Sequence, residues 1–515
     1  MKQNKTQTLI VGGGPCGLMA ALLLGKSGIQ TVVLEKHPGI SRHPKAMGVT
    51  RRTAEIYRQL GLLEKMLEGG LKYPRQAVST WSRGGLVGEL LGSAPMVEDD
   101  PRFSPCTHFH CAQPHNEAVL LEATQALPSV NIRFQTRALE FSQNAGGVSV
   151  LCENPDGSTE TIEADYLIAA DGDRSPIREK LGIQRQGPGE MGRFLSVYFR
   201  ANYREHLAGR LALIANTIGE DFFEVFVTVN GDDLWLMHHF LDEAETQADW
   251  PEERLRAQVI KASGLPNTPV EILSISPWVM SPSLAPEWRR GRIFLVGDAA
   301  VRVSPSGGLG LNNGIQGVHN LAWKLAAVLR GEEKESLLDT YQTERLAASK
   351  FTFENSGNNA GEIFEIITAA FSGDWDKARA RISKSRRAGA GFGQDFGIIY
   401  ESADIRPDGT QPVLPADPVN DYIPQGHPGH RAPHVWVQRD GRRVSLLDFF
   451  GGGFTLLCGP EANPESFPHP ARHARVVREF IDFQDPDNKW RTIYGISRGG
   501  FVLVRPDGYV SARVA

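Results

Sequence analysis

The run Gly12-Gly13-Gly14-Pro15-Cys16-Gly17 carries glycines at the spacing of a phosphate-cradling turn. The apolar run Thr8 to Val11 precedes it and the apolar stretch Leu18 to Leu24 follows, so strand, tight turn and helix are expected in that order. Gly12 permits the turn, Gly14 lets the backbone approach a pyrophosphate, and Gly17 lets the helix pack closely on the strand. Pro15 and Cys16 then fall at the helix start, where free N–H groups and the positive dipole end favour phosphate oxygens. A second strand, Ile29 to Leu34, ends in Glu35-Lys36. Glu35 stands eighteen positions after Gly17, where a carboxylate accepts hydrogen bonds from a ribose, and its charge disfavours a 2′-phosphate. FAD or NAD fits.

A second glycine-rich block, some 280 residues downstream, separates the two. The stretch from Gly291 to Asp298 reads as a buried strand ending at Gly297-Asp298, followed by Ser304 to Asn313 and an amphipathic helix from Ile315 to Leu329. A nicotinamide dehydrogenase needs no second loop of this kind, whereas the long FAD molecule extends past the first crossover. Asp298 can hold ribityl hydroxyls, and Gly310, Leu311 and Asn312 can present N–H groups to the flavin pyrimidine edge.

These motifs must be positioned by more than one compact unit, because 515 residues exceed a single core. The net charge of −5 gives no electrostatic case for nucleic acid or an anionic membrane as partner. No run of eighteen apolar residues is present, and the N-terminus enters its first strand without a signal-like apolar region, so a cytoplasmic protein is expected. Cys16, Cys106, Cys111, Cys152 and Cys458 lack CxxC or metal-ligand spacing and are expected to be reduced structural thiols. No metal site is expected.

Four blocks in order resemble the single-component (class A) FAD-dependent aromatic hydroxylases, whose relatives include phenol and aromatic-polyketide hydroxylases. They are the glycine turn with Glu35; Ser41-Arg42-His43-Pro44-Lys45-Ala46 with Arg52-Thr53-Ala54-Glu55-Ile56; Asp171-Gly172-Asp173-Arg174-Ser175-Pro176 after Ala164 to Ala170; and Gly297-Asp298 running into Asn320 to Leu325. The resemblance implies that Arg42 lies beside the FAD pyrophosphate or the nicotinamide donor, that Gln113 lies near the flavin phosphates and ribityl chain, and that Ala46 to Val49 line a moving flavin ring. Leu139, Asp171, Gly297, Pro305 and Gly308 complete the expected cofactor contacts, with a capping role for Asp171 as the alternative. Val301 replaces a family histidine, Leu309 a glutamine and Gly317 an aspartate.

The chemistry implied is reduction of FAD by NADPH or NADH, with NADPH favoured, and oxygen transfer from a flavin C4a-hydroperoxide to an electron-rich ring. The expected partners are an aromatic small molecule and O2, with no nucleic acid and no membrane, in a monomer or homodimer. Alternatives on the same fold are Baeyer–Villiger insertion, epoxidation, antibiotic inactivation, or flavin binding without turnover. His238 and His239 are candidates for polarising a phenol, against the plain reading of an alternating strand with one histidine buried and one solvated.

The expected class is α/β: a Rossmann-like, glutathione-reductase-type FAD domain with an inserted mixed-sheet substrate domain and a thioredoxin-like C-terminal domain. FAD-binding parts at 1–72, 107–186 and 278–402 alternate with substrate-domain segments at 73–106 and 187–277. The last FAD part includes a long helix from Leu337 to about Thr368. A Pro- and Gly-rich linker is expected at 403–433, then the tail at 434–515, with strands at Arg442 to Phe450, Phe454 to Cys458, Tyr494 to Ile496 and Phe501 to Val510 around a helix near Ala471 to Phe480. Without CxxC the tail has a packing or dimer role rather than disulfide exchange.

Overall fold

A computed structural model describes residues 5–73, 77–94, 98–207, 209–385, 391–468 and 474–515. The strand Lys5–Val11 lies between Thr159–Ala169 and Thr31–Leu34, parallel to both. Val130–Arg133 extends this sheet on one side and Ile293–Leu295 on the other, again in parallel. Parallel strands buried on both faces need continuous apolar runs, and Leu9, Ile10, Leu167, Ile168 and Phe294 are all fully buried here. Helices Pro15–Lys26 and Gly310–Leu329 pack into the same core through Leu18, Leu22, Ile315 and Leu321. Both glycine-rich motifs therefore open from one end of one sheet.

The second sheet has seven strands in the order Glu271–Met280, Gly192–Arg200, Leu234–Leu241, Phe223–Thr228, Ala212–Ile218, Ala77–Arg83 and Glu89–Ala94. Side chains alternate across a strand. Leu195, Val197, Phe199, Trp235 and Met237 pack against Leu255 and Val259 of the helix Glu252–Ser263. The other row, which includes Phe194, Ser196 and His238, faces the cleft between the two sheets. The long helix Asp339–Phe371 and its successor Trp375–Lys384 cover Trp81, Leu91 and Ile218 at the far end of the sheet. Among the described residues, no helix is long and apolar enough to cross a membrane.

The C-terminal sheet runs Arg475–Arg478, Thr455–Cys458, Phe501–Val504, Val510–Val514; the first pair is parallel and the others antiparallel. Three expectations fail here. The helix expected near Ala471 to Phe480 is, over its described part, the strand Arg475–Arg478, because Val476 and Val477 pair with Leu456 and Leu457. Residues 471–473 lie outside the described residues. The strand expected at Tyr494 to Ile496 is instead the end of the helix Lys489–Tyr494, stopped by Gly495 at φ 65°. The strand expected from Arg442 to Phe450 ends at Ser445, whose hydroxyl accepts the Leu447 N–H and starts a short 3₁₀ turn.

The stretch 403–433 forms no helix or strand of its own, yet it is held firmly. Tyr422 and Arg431 are buried, and the Arg431 guanidinium bonds the buried Glu55 carboxylate. Further along the same seam, Glu344 of the long helix accepts hydrogen bonds from Lys324 Nζ at 2.7 Å and from Arg505 Nη1 at 2.7 Å. Buried charges persist only when paired in this way, so ion pairs as well as apolar contacts fasten the tail.

Candidate active site

A continuous cleft of about 1940 Å³ runs from the first glycine turn to the cleft-facing side of the seven-stranded sheet. At one end lie Gly12, Gly14, Pro15 and Cys16, with Glu35, Lys36 and Leu139 beside them. A Cβ on Gly12 would stand 2.1 Å from Ala170 O, and one on Gly17 1.9 Å from Gly12 O, so strand, turn and helix meet at van der Waals limits. At Gly14 a Cβ would meet nothing within 4 Å. That opening faces the cleft and suits a pyrophosphate. The Glu35 carboxylate accepts N–H bonds from Gly13 at 2.7 Å and His37 at 2.8 Å, which fixes it at the edge of the cleft. Cys16 packs against Gly297 and Gly314, and burial, with Asp298 adding to it, pushes its thiol up to about 12. All five cysteines are free, and Cys16 is a packing residue rather than a nucleophile.

Midway along the cleft lie Gln113, Asp171, Gly297, Asp298, Pro305, Gly308, Gly310 and Leu311. The first N–H groups of a helix have no intrahelical partner. In Gly310–Leu329 the Asn313 N–H is taken by Leu309 O, which leaves those of Gly310 and Leu311 at the cleft wall. One Asp171 oxygen accepts the Ile177 N–H at 3.3 Å, while the other is buried with no partner among the described residues. Asp171 thus bonds the first turn of the helix Pro176–Lys180, whose N-cap is Ser175, and has one oxygen to spare.

Three expected contacts sit differently. Gly17 is buried beneath the turn and does not line the cleft. Arg42 is exposed and outside the cleft lining, whereas its neighbours His43 and Lys45 lie within it. Asn312 is buried, and its side chain bonds protein: Oδ1 accepts the Thr50 N–H, and Nδ2 donates to Gly48 O and Gly308 O. It ties the two flanks of the cleft together.

Glu117, the partner of the expected Gln113, and Arg185 escaped the sequence reading. Gln113 Oε1 accepts the Ala46 N–H and its Nε2 donates to Glu117, which in turn accepts the Ser41 N–H, so the loop 41–48 hangs from one helix face. The four-residue spacing of Gln113 and Glu117 was the available signal. Arg185 donates to Asp298 O at 3.1 Å and Asp173 O at 2.7 Å, a long-range contact with no local signature. Of the family departures, Val301 is buried in a short strand paired with Ser283–Leu284, and a Cβ on Gly317 would lie 3.7 Å from Arg345 Nε.

The two candidate histidines part company. His238 faces the cleft, edge-on to Trp278 with ring centroids 5.7 Å apart, and its Nδ1 has no partner among the described residues. Burial pushes it down to about 4, with His43 adding to the effect. His239 faces the opposite side, its Nδ1 2.7 Å from the buried Glu224 carboxylate and its ring 3.8 Å from that of Trp250. Replacing His239 with alanine leaves the buried Glu224 carboxyl with Gln258 Nε2, at 2.7 Å, as its remaining side-chain donor, and is expected to cost about 1–3 kcal/mol. A thermal melt checks this, with FAD content expected to stay at the parent level; loss of FAD without loss of stability would contradict the structural role.

The far wall is aromatic. Phe194 and Trp278 stack at 4.3 Å and 10°, with Phe240 edge-on to Phe194 at 5.4 Å. A row that is polar except for Val225 crosses the sheet beside them: Ser276 pairs with Ser196, Ser196 with His238, His238 with Val225, and Val225 with Asn216.

Comparison with known proteins agrees with this geometry. Residues 5–356 match the FAD binding domain family, and residues 425–515 match the aromatic-ring hydroxylase C-terminal family. The tetracenomycin A2 monooxygenase-dioxygenase of Streptomyces glaucescens is 34% identical over 100% of this chain and 94% of its own length. Among solved structures, the flavin-dependent monooxygenase PieE with FAD and substrate superposes with a TM-score of 0.92 at 28% identity, covering 99% of this chain and 96% of that one. Aklavinone-11 hydroxylase with FAD and aklavinone gives 0.84 at 30% identity, covering 100% and 96%.

Proposed function

Because the chain belongs to the FAD-dependent aromatic-ring monooxygenases, we propose that it hydroxylates a phenolic or polycyclic aromatic molecule at the Phe194–Trp278 wall, using NAD(P)H and O2. The observation that carries this reading is the single cleft joining the Gly14 opening to that wall. Its 1940 Å³ exceeds the roughly 300–1,000 Å³ of ordinary small-molecule sites. Room for a dinucleotide together with a multi-ring substrate follows, as in the relatives whose names include tetracenomycin and aklavinone.

When bound, FAD supplies the hydride acceptor and the oxygen-activating chemistry. The chain's own residues do the rest. Gly12, Gly14, Pro15 and Cys16 shape the pyrophosphate turn, Glu35 takes the ribose, and Lys36 and Leu139 flank the adenosine end. Asp298 holds ribityl hydroxyls; Gly310 and Leu311 offer N–H donors; Gly297, Pro305 and Gly308 shape the loop around them; Asn312, Gln113 and Asp171 hold its flanks. Lys45 rather than Arg42 supplies positive charge inside the cleft. His238 orients the ring hydroxyl through its free Nδ1, in a setting from which the aromatic wall excludes water.

The same reading extends to the layout. Segments 73–106 and 187–277 build the ring-binding domain, supported by their sharing one seven-stranded sheet. The tail at 434–515 is thioredoxin-like, supported by its four strands with one parallel and two antiparallel neighbours and by the helix Lys489–Tyr494.

The test is direct. The purified protein should carry yellow FAD, consume NADPH and O2 faster with phenols or polycyclic phenols, and yield products heavier by one oxygen. Ring-expanded or cleaved products would shift the assignment to another oxygenation, and a protein that stays colourless with added FAD would refute it. His238→Asn is expected to lower kcat/KM about 10²-fold at unchanged FAD affinity. Since His238 stays uncharged from pH 8 down to 5, any ionisation limb of kcat/KM in that window should survive the substitution; its disappearance would place the titrating group at His238.

A further inference from the structure

The loop 41–48 forms one wall of the cleft, and the FAD side of the molecule grips it at several points. Ser41 bonds Glu117, Ala46 bonds Gln113, and Gly48 bonds Asn312. Across the cleft the same loop reaches the seven-stranded sheet by two side chains. Met47 makes an apolar contact in the cluster of Leu213, Val227 and Leu236. His43 makes a directional one: Nδ1 lies 2.8 Å from Ser274 Oγ and Nε2 3.0 Å from Ser196 Oγ, with its ring edge-on to Tyr198 at 6.2 Å. Ser274 and Ser196 belong to adjacent strands, Glu271–Met280 and Gly192–Arg200. One imidazole therefore bridges two strands and the loop that faces them.

We propose that His43 is a positioning residue that bolts the flavin-side loop to the ring-binding sheet and thereby sets the separation of the two walls. The proposal rests on the reading of the cleft given above. A neutral imidazole donates through one nitrogen and accepts through the other, while a serine hydroxyl does either. Both bonds form together in either tautomer, and the bridge needs no charge. Ser196 also sits beside His238 in the row crossing the sheet, so the strut ends next to the group that meets the substrate. Apolar contact at Met47 holds the loop near the sheet without fixing direction, whereas the two hydrogen bonds fix angle and distance. Small errors in reactant placement cost large factors in rate, so a strut of this kind matters most to the oxygen-transfer step.

The test uses the FAD-loaded full chain. His43→Ala is expected to keep FAD stoichiometry and melting temperature near the parent values while product formed per NADPH consumed falls about tenfold, the remaining NADPH appearing as hydrogen peroxide. Ser196→Ala/Ser274→Ala should reproduce this signature, and His43→Asn, which keeps one bond, should recover part of the coupling. The bound-flavin absorbance and the rate of flavin reduction by NADPH without substrate should also change in His43→Ala. Parent-like coupling and spectra in His43→Ala would overturn the proposal, as would losses that merely follow loss of FAD in all three variants. If no aromatic compound stimulates the parent enzyme, the proposed reaction fails, and the substrate-free spectrum and reduction rate alone decide the strut.

Discussion

Replacing Glu344 with alanine is expected to destabilise the protein by about 3–5 kcal/mol, the scale of a buried ion pair broken on one side. Lys324 and Arg505, whose side chains are 0% exposed, both depend on this carboxylate. Burial alone would raise the Glu344 carboxyl, but Arg505 and Lys324 hold it well below the ordinary range. Burial also draws Lys324 down to about 8 against the pull of Glu344. Arg505 retains Asp507 after the substitution, so Lys324 is the stranded charge. The readout is the urea midpoint, which should fall at near-constant slope. Glu344→Met/Lys324→Met removes one charge of each sign and should recover most of the loss. Equal losses in both proteins would show that packing, not the unpaired cation, carries the effect. Because Arg505 belongs to the tail and Glu344 to the long helix, the damage should reach the tail docking as well.

The second large effect separates two glycines of one turn. Gly14 has φ −76°, which any residue adopts, and a side chain there meets no protein atom within 4 Å. Gly14→Val should fold as the parent does and fail at the cofactor. Overpacking of about 1–3 kcal/mol against the pyrophosphate corresponds to a roughly 10- to 100-fold weaker FAD Kd. Gly12 is the opposite case, with φ 110° and a Cβ that would sit 2.1 Å from the Ala170 carbonyl oxygen. Gly12→Ala must move backbone, so stability and FAD binding should fall together. Fluorescence titration with FAD beside a melt of each apoprotein measures the two terms. A Gly14→Val protein that binds FAD like the parent would place the pyrophosphate elsewhere.

Local physics was legible in the sequence. The glycine turn, its helix and Glu35 follow from contacts within 35 residues of the N-terminus, and the structure places them side by side with the Glu35 carboxylate on the Gly13 N–H. Alternation in the strand Leu234–Leu241 showed that His238 and His239 must face opposite ways. Both touch the cleft lining. The helix Glu252–Ser263, which covers one face of the sheet, decided that His239 lies against Glu224 and Trp250 while His238 lies beside the aromatic wall.

The tail shows the limit most clearly. A four-residue strand such as Arg475–Arg478 has almost no period of its own, and pairing with Thr455–Cys458 overrides its local preference. The Pro- and Gly-rich stretch at 403–433 reads as a tether until Arg431 meets Glu55, 376 residues away in sequence. His43 likewise carries no local mark of the two serines it bridges. The sequence by itself determined the cofactor turn and the order of the blocks, because backbone conformation and helix termini are set by near neighbours. The tertiary structure alone decided which side chains share the cleft and which charges are buried, because those depend on residues hundreds of positions apart being brought within hydrogen-bond distance.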